Sequence, residues 1–552
     1  MYSLKHADKK SRRGVAFITA LLLAVVFMML IGALLAEINS ELVIGTTRGS
    51  QDRALYAADA GIQDVVLDTE AQASLGQAPT YVGVNDTFTF PASASASPAS
   101  FSATILKTWK GSFRYYLIQS QGTAEASGAV RTIRAIEKSE PYTIFANFTE
   151  SEFWGDGASG YQHYYLADEQ IPGPVYSGGP MHINWSPSVQ PIFVSQVRTP
   201  QAPIWNDCTT TPGCSAPSSA SDWASVMQGG QPNFTVGVNP IPLPDYHINI
   251  ADASEALYGN TTSITEATGF PTGSQPGGAP GVWMAGHLAD KPTTSACVSS
   301  GIYISGNANI TASANTVANT QTFTFNPTGS SGSIPAKVMV VINLGSNVTT
   351  VTGPSGTATY CGVPSSQAQS SGANGIIFAN GNVNFGENGK TDTIDGQYTV
   401  AVPDTPANHS NTISMLGQVL YAGGMSGTDL LGMWANDILI KDQVDSNISF
   451  DGSLITGYRG ECGGGSCGAG DGTWYDPNWN TGQPQGDFTL YGALIENTAG
   501  HQGALDSNGN PVHAFSDEYY YDARLANDFL PPGFPDGDGR YVIVAWQDLG
   551  AQ

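Results

Sequence analysis

An α+β stem followed by a large, mainly-β body is the fold class this sequence predicts, and three observations carry it. A long uncharged apolar run begins at Gly14. Segments that alternate apolar and polar residues follow it. From about Tyr142 onward, short apolar segments recur between Gly, Asn, Asp and Ser turns. At 552 residues the chain exceeds one compact core. The boundaries read as a leader at 1–14, a helix at 15–72 with a membrane span at 15–36, a small antiparallel head sheet at 73–140, and a β-rich body at 141–552.

The stem comes first. Residues 1–13 are short and basic, and residues 14–36 read GVAFITALLLAVVFMMLIGALLA without a charge. At ~1.5 Å per residue this run is about 34 Å long, enough to cross a bilayer. Lys5, Lys9, Lys10, Arg12 and Arg13 before it place the N-terminus in the cytoplasm and the remainder outside. A cleaved signal peptide is the competing reading. The run is longer than the usual h-region of about 7 to 15 residues, and Ala33 and Ala36 have the wrong spacing for its cleavage site. Beyond the run, Leu55, Ala58, Ile62, Val65 and Val66 recur at helical spacing among Arg53, Asp59, Gln63 and Asp64, which predicts one continuous helix. Gly32, Gly45, Gly49 and Gly61 are positions where it can bend, and PTYVG after Gln77 ends it.

RRGVAFITALLL followed by RALYAADAGIQD resembles the N-terminus of type IV pilins and pseudopilins, most closely the minor pilins of the PilX N-terminal family. The resemblance implies a prepilin peptidase that cuts after Gly14 and a methylated mature N-terminus at Val15. It also implies partners: other pilins and an inner-membrane assembly platform. Major pilins carry Glu at the fifth position after the cut, where its carboxylate meets a neighbouring subunit's amine. Here that subunit-docking position is Thr19, which points to a minor or tip subunit. The implied route is an inner-membrane precursor that then reaches the pilus tip and cell surface.

Between Pro79 and Pro141, FTFPAS, SFSATILKTW, FRYYLIQSQGTAEA and AVRTIRAIEKS read as hairpin-connected strands packed on the amphipathic half of the helix. They hold Lys107, Lys110, Arg114, Arg131, Arg134 and Lys138. Without the leader the chain has 16 basic against 45 acidic residues, a net of about −29, a field that repels nucleic acid at long range. A DNA-binding basic patch is one reading of these six cations, and ordinary solvent-facing strand positions are the other.

In the body, GIYISGNANI, KVMVVINLG, GIIFANGNVNF, GQYTVAV, GQVLYA, NDILIKD and SFDGSLITG read as successive coils. Ile377, Tyr398, Val419 and Leu439 step by 21, 21 and 20 residues, which favours a β-solenoid, with a β-sandwich as the alternative. IPGPVYSGGPMHINWSP at 171–187 resembles the start of a solenoid-like domain found behind PilX-type helices. YYYDARLANDFLPPGFP at 519–535, with the following YVIVAWQDL, resembles the closing region of such proteins. Competence pilins of the ComZ type combine a pilin stem with a β-solenoid and take part in DNA uptake, so the resemblance extends the expected partners to extracellular DNA or a surface ligand.

Cys208, Cys214, Cys297, Cys361, Cys462 and Cys467 are even in number. The pairs Cys208/Cys214 and Cys462/Cys467 sit in Gly/Thr/Pro-rich turns, which favours local disulfides in an oxidising compartment over reduced thiols or a zinc site. No GxSxG elbow, HExxH helix, phosphate-binding loop or dinucleotide fingerprint occurs, and the expectation is a protein without catalysis or cofactor. The enzyme alternative places Asp392, Asp395, Asp429, Asp437, Asp442 and Asp451 on one face of a β-helix, against their use as turn formers. Asp506, Asn508 and Asn510 in DSNGNP offer calcium ligands at alternate positions, against plain Asx turns. Trp474, Tyr475 and Trp479 after the Gly-rich GECGGGSCGAGDG loop form a ligand platform or lie buried beneath it.

Overall fold

The computed structural model describes residues 8–74, 87–90, 99–110, 114–154, 161–165, 169–185, 191–205, 216–241, 243, 280–284, 287–288, 301–346, 348–354, 356–361, 375–402, 411–441, 447–457, 472–475, 484–500, 503–505, 511–527, 529–534 and 541–550. A single helix, α1 (Asp8–Ser74), carries the first stretch, continuous through the expected cut at Gly14. Proline is absent from it, so no backbone donor is lost along its length.

Four strands follow, β1 (Thr87–Phe90), β2 (Ala99–Lys110), β3 (Arg114–Ala124) and β4 (Ala129–Ser139), paired antiparallel in chain order. The fifth strand of this sheet is Tyr541–Asp548, which pairs antiparallel with β4. The head is therefore wider in sequence than 73–140, because the C-terminal strand returns to cover what would otherwise be an open edge on β4. Ala58, Ile62, Val65 and Val66 of α1 pack against Ala103, Ile105, Tyr116, Ile118, Ile133, Ala135 and Tyr541. Two glycines set the distance of approach. A Cβ on Gly61 would lie 2.3 Å from Ser120 Oγ, and one on Gly122 would lie 2.0 Å from Ala54 O. Gly61 is thus a contact point, while nothing lies within 4 Å of a Cβ at Gly32, Gly45 or Gly49.

The body is mainly β. Its central sheet has twelve strands, in the spatial order Phe234–Val236, Val197–Thr199, Val175–Ser177, Asn147–Ser151, Leu494–Thr498, Ser453–Thr456, Leu430–Ala435, Gln397–Val402, Ile376–Ala379, Ile302–Ser305, Gly281–Met284, His287–Leu288. The first ten pair in parallel, unlike the antiparallel ladders of a sandwich. Successive turns of chain visit further sheets. Gln397–Val402, Thr412–Met415 and Gln418–Tyr421 are followed by Leu430–Ala435, Asp437–Ile440 and Ile448–Asp451, each paired in parallel with its predecessor. An antiparallel meander from Ala308–Asn315 to Gly356–Cys361 widens the nine-stranded sheet.

The near-constant step of 20 to 21 residues is not the repeat. Ile377 pairs with Val400, Val400 with Met433, Met433 with Leu454 and Leu454 with Leu494, steps of 23, 33, 21 and 40. Val419 and Leu439 stand in other sheets than Ile377 and Tyr398. Connections of unequal length between the strands make the spacing irregular while the ladders stay in register.

Chain order and spatial order differ in the body. From β4 the chain enters the central sheet at Asn147–Ser151, the fourth strand, and runs outward to Phe234–Val236. It resumes at the opposite edge and winds back until Leu494–Thr498 meets Asn147–Ser151. The central sheet is buried on both faces. Ile377, Val400, Met433 and Leu454 face the inner core, whereas Phe378, Trp434, Ile455 and Ile495 face a second apolar layer shared with Tyr142, Phe145, Leu525 and Phe534 of the connections to the head. Tyr521 Oη donates to Thr143 O at 3.0 Å, joining the incoming connection to the outgoing one.

Candidate functional site

Three surfaces collect the residues with functional chemistry. The first is the stem. Every residue from 16 to 49 is exposed, with Phe17 at 70%, Met28 at 71% and Leu42 at 61%, and residues 16–68 contain a window with mean hydropathy 2.8. Thr19 lies in this exposed stretch. Its Oγ1 donates to Ala16 O at 3.0 Å, the usual way a helical threonine satisfies itself in apolar surroundings. Thr46 Oγ1 donates to Leu42 O at 2.9 Å and Thr47 Oγ1 to Val43 O at 2.7 Å, so the apolar character of the surface continues past Glu37 and Glu41. These two threonines carried no signal in a reading based on periodicity. Gly14 and Val15 lie in the helical backbone, and the Val15 side chain lies outside the described residues.

The second surface is the face of the head sheet opposite α1. Strand alternation and register place Lys107 beside Leu117 and Ile136, Arg134 beside Gln119 and Gln547, and Lys138 beside Tyr115 and Val542. Arg134 Nε donates to Gln119 Oε1 at 2.9 Å. Three of the six predicted cations therefore share one face. Arg131 falls on the other, where it forms an ion pair with Asp548 of the closing strand. The Gly550 N–H first, and then this guanidinium, hold the Asp548 carboxyl below its ordinary value. Lys110 and Arg114 are cross-strand partners at the hairpin end, with side chains outside the described residues.

The third is the body. Its aspartates are distributed among strands and connections, Asp392 within Thr391–Ile394, Asp451 at the end of Ile448–Asp451, and Asp395 and Asp429 between strands. Asp392 accepts from Ala312 N–H; Asp429 accepts from Gly396 N–H at 2.8 Å and Gly423 N–H at 2.7 Å; and Asp451 accepts from Tyr421 N–H at 2.8 Å. Burial pushes Asp392 and Asp451 up to about 6, and raises Asp395 with help from Asp429. Their bonds are to backbone N–H groups, in strands for Asp392 and Asp451 and in connections for Asp429. Asp437 opens the strand Asp437–Ile440, and Asp442 lies outside the described residues. Arg524 forks onto Asp522 through Nη2 at 2.6 Å and Nε at 2.9 Å, donates Nη1 to Gly427 O at 2.6 Å, and stands 5.3 Å from the Tyr421 ring centroid.

Among the described residues, no three His, Cys, Asp or Glu side chains converge as a metal-holding group. Asp506, Asn508 and Asn510 lie outside the described residues, as do Trp479, Cys208, Cys214, Cys297, Cys462 and Cys467. Trp474 and Tyr475 belong to the strand Thr473–Tyr475, in register with Leu439 and Ile440, and Cys361 ends the strand Gly356–Cys361, in register with Val348. The side chains of all three lie outside the described residues.

No family model and no curated protein matches the chain. Among solved structures, it is similar to the crystal structure of the competence-associated pilin ComZ from Thermus thermophilus, at 12% identity and a TM-score of 0.24, covering 91% of this chain and 98% of that one.

Proposed function

We propose that this chain is a low-copy, pilin-like subunit of the PilX N-terminal type, without catalysis or cofactor. In this reading 1–14 is a prepilin leader, the precursor sits in the bacterial inner membrane with its N-terminus in the cytoplasm, and a prepilin peptidase cuts after Gly14. N-methylated Val15 then leads the helix into a bundle with other pilins at an inner-membrane assembly platform. The observation that supports it best is the division of α1 into an exposed apolar half and a half packed on a small antiparallel sheet. Thr19, satisfied within its own helix, favours a minor subunit over the main repeating one. A body of the size of residues 141–540 would collide with itself if repeated at close spacing, which favours the tip.

At the tip, the shared face of Lys107, Arg134 and Lys138 favours contact with a polyanion such as extracellular DNA, within a surface-binding role. The pseudopilus tip of type II secretion and a membrane-tethered adhesin that never polymerises are the alternatives. Recovering the protein from membranes and from sheared surface fibres, and determining its N-terminal residue and mass, separates these readings. N-methylated Val15 in the fibre fraction, at low copy, is the expected result. An intact Met1 found only in membranes overturns the pilin reading in favour of the tethered adhesin.

A further inference from the structure

The antiparallel meander that widens the nine-stranded sheet turns one face to the core and the other to solvent. Ile310, Phe323, Phe325, Val340, Ile342 and Val351 fill the inner face. On the outer face, side chains fall in register across all five strands, Ala308–Asn315, Thr320–Asn326, Val338–Asn343, Val348–Gly353 and Gly356–Cys361. One row reads Thr311, Thr324, Met339, Thr352, Thr357. The next reads Ser313, Thr322, Val341, Thr350, Thr359. Seven threonines and one serine thus occupy eight of ten positions, and the two exceptions share the middle strand.

These side chains are open to solvent. Ser313, Thr357 and Thr359 are exposed, and the other seven are half-buried. Thr352 Oγ1 and Thr357 Oγ1 share a hydrogen bond at 3.2 Å, whereas among the described residues the hydroxyls of Thr311, Ser313, Thr322, Thr324, Thr350 and Thr359 bond no other group. Charge is nearly absent. Lys337 is the single charged residue between Ala308 and Cys361, in a chain with 46 acidic and 21 basic residues. The two rows therefore offer nothing to an ionic ligand, and they hold no aromatic ring on which a sugar could stack.

Geometry narrows the ligand further. Neighbouring strands lie about 4.8 Å apart and alternate residues along one strand about 6.7 Å apart, so the ten positions form a near-rectangular lattice. Oxygen positions on a prism face of hexagonal ice repeat along two perpendicular axes at similar intervals. Threonine suits such a surface. Its β-branch holds χ1 nearly fixed and its hydroxyl both donates and accepts, so the polar groups are placed before any ligand arrives.

We propose that this face binds ice, with crystalline water as its ligand. The hydroxyls take the positions of lattice waters at the crystal surface and complete hydrogen bonds that its outermost layer leaves open. The threonine methyls, with Met339 and Val341, fill the spaces between. Each contact is weak, but a fixed array makes many of them at once without further ordering. Neutrality serves the same end, because a charged group here would have to shed its hydration shell at the crystal boundary. The inference rests on the body alone and stands whether or not the stem enters a pilus.

The test is partition of the full-length protein, in detergent, into an ice shell grown slowly on a cold finger, with micelles alone as the blank. Wild-type protein is expected to enter the ice. The double variant Thr322→Lys, Thr350→Lys is expected to lower the fraction in ice about tenfold or more, with an unchanged melting temperature because both side chains face outward. Replacing Lys107, Arg134 and Lys138 with Gln is expected to leave the partition as it is. Exclusion of the wild-type protein into the liquid overturns the proposal, as does a lysine variant that enters ice as well as wild type. Retention on powdered cellulose or chitin together with exclusion from ice also overturns it, and reassigns the face to a crystalline polysaccharide. The wild-type partition decides even if the lysine variant fails to fold.

Discussion

Along α1, residues 16–49 are exposed throughout, with Phe17 at 70% and Met29 at 70%, whereas Ala54, Ala58, Ile62 and Val65 are at 0%. Both halves are helical and rich in apolar residues, yet only the second finds its partner within the chain. The difference lies in pattern. The first half is apolar around its whole circumference, which suits lipid or a bundle of similar helices. The second confines its apolar residues to one stripe, which suits a single sheet. Burying a large aliphatic side chain contributes about 1.5–3 kcal/mol, so an unpartnered run of this length strongly favours transfer to a bilayer or to neighbouring subunits.

The contact of the second half can be broken at one atom. Gly122→Val places a branched side chain where a Cβ alone would lie 2.0 Å from Ala54 O and 2.4 Å from Ala58 N. Overpacking against backbone is expected to cost about 3 kcal/mol and to release amide protection around Ala54, Ala58 and Ile62. Chemical denaturation in detergent with hydrogen exchange checks both, while membrane retention stays unchanged because residues 16–49 are untouched.

A smaller effect is expected on the opposite face of the same sheet. Replacing Lys107, Arg134 and Lys138 together with Gln leaves the α1 contact intact and the melting temperature within a few degrees. Affinity for single-stranded DNA is expected to fall, with the salt slope shallower by about 2, as for three lost phosphate contacts. Equal binding by the variant would remove this face from the account and leave the three cations as solvent-facing strand positions.

The helix and the head strands were legible because their periods are strict. Val65 and Val66 follow Ala58 and Ile62 at helical spacing, and Ile133 and Ala135 alternate with Arg134. The closing strand Tyr541–Asp548 was assigned to the body, since nothing local tells a C-terminal strand that its partner stands about 400 residues earlier. The coil spacing misled for a related reason. Parallel register is fixed between strands such as Val400 and Met433, while the connections between them vary freely in length. Basic residues were found as a group, but which of them share a face depended on the register shift between Ile105 and Lys107, which sequence alternation does not show.

The division of α1 into two halves with separate partners is tested most directly by Leu30→Arg in the exposed stretch. A central arginine costs about 3 kcal/mol of membrane insertion, so the variant is expected to lose most of its retention in the membrane fraction and its recovery in sheared fibres. Its melting temperature should match that of the unaltered protein. Retention and fibre recovery equal to wild type would contradict the account, as would a collapse of the head and body caused by this single change.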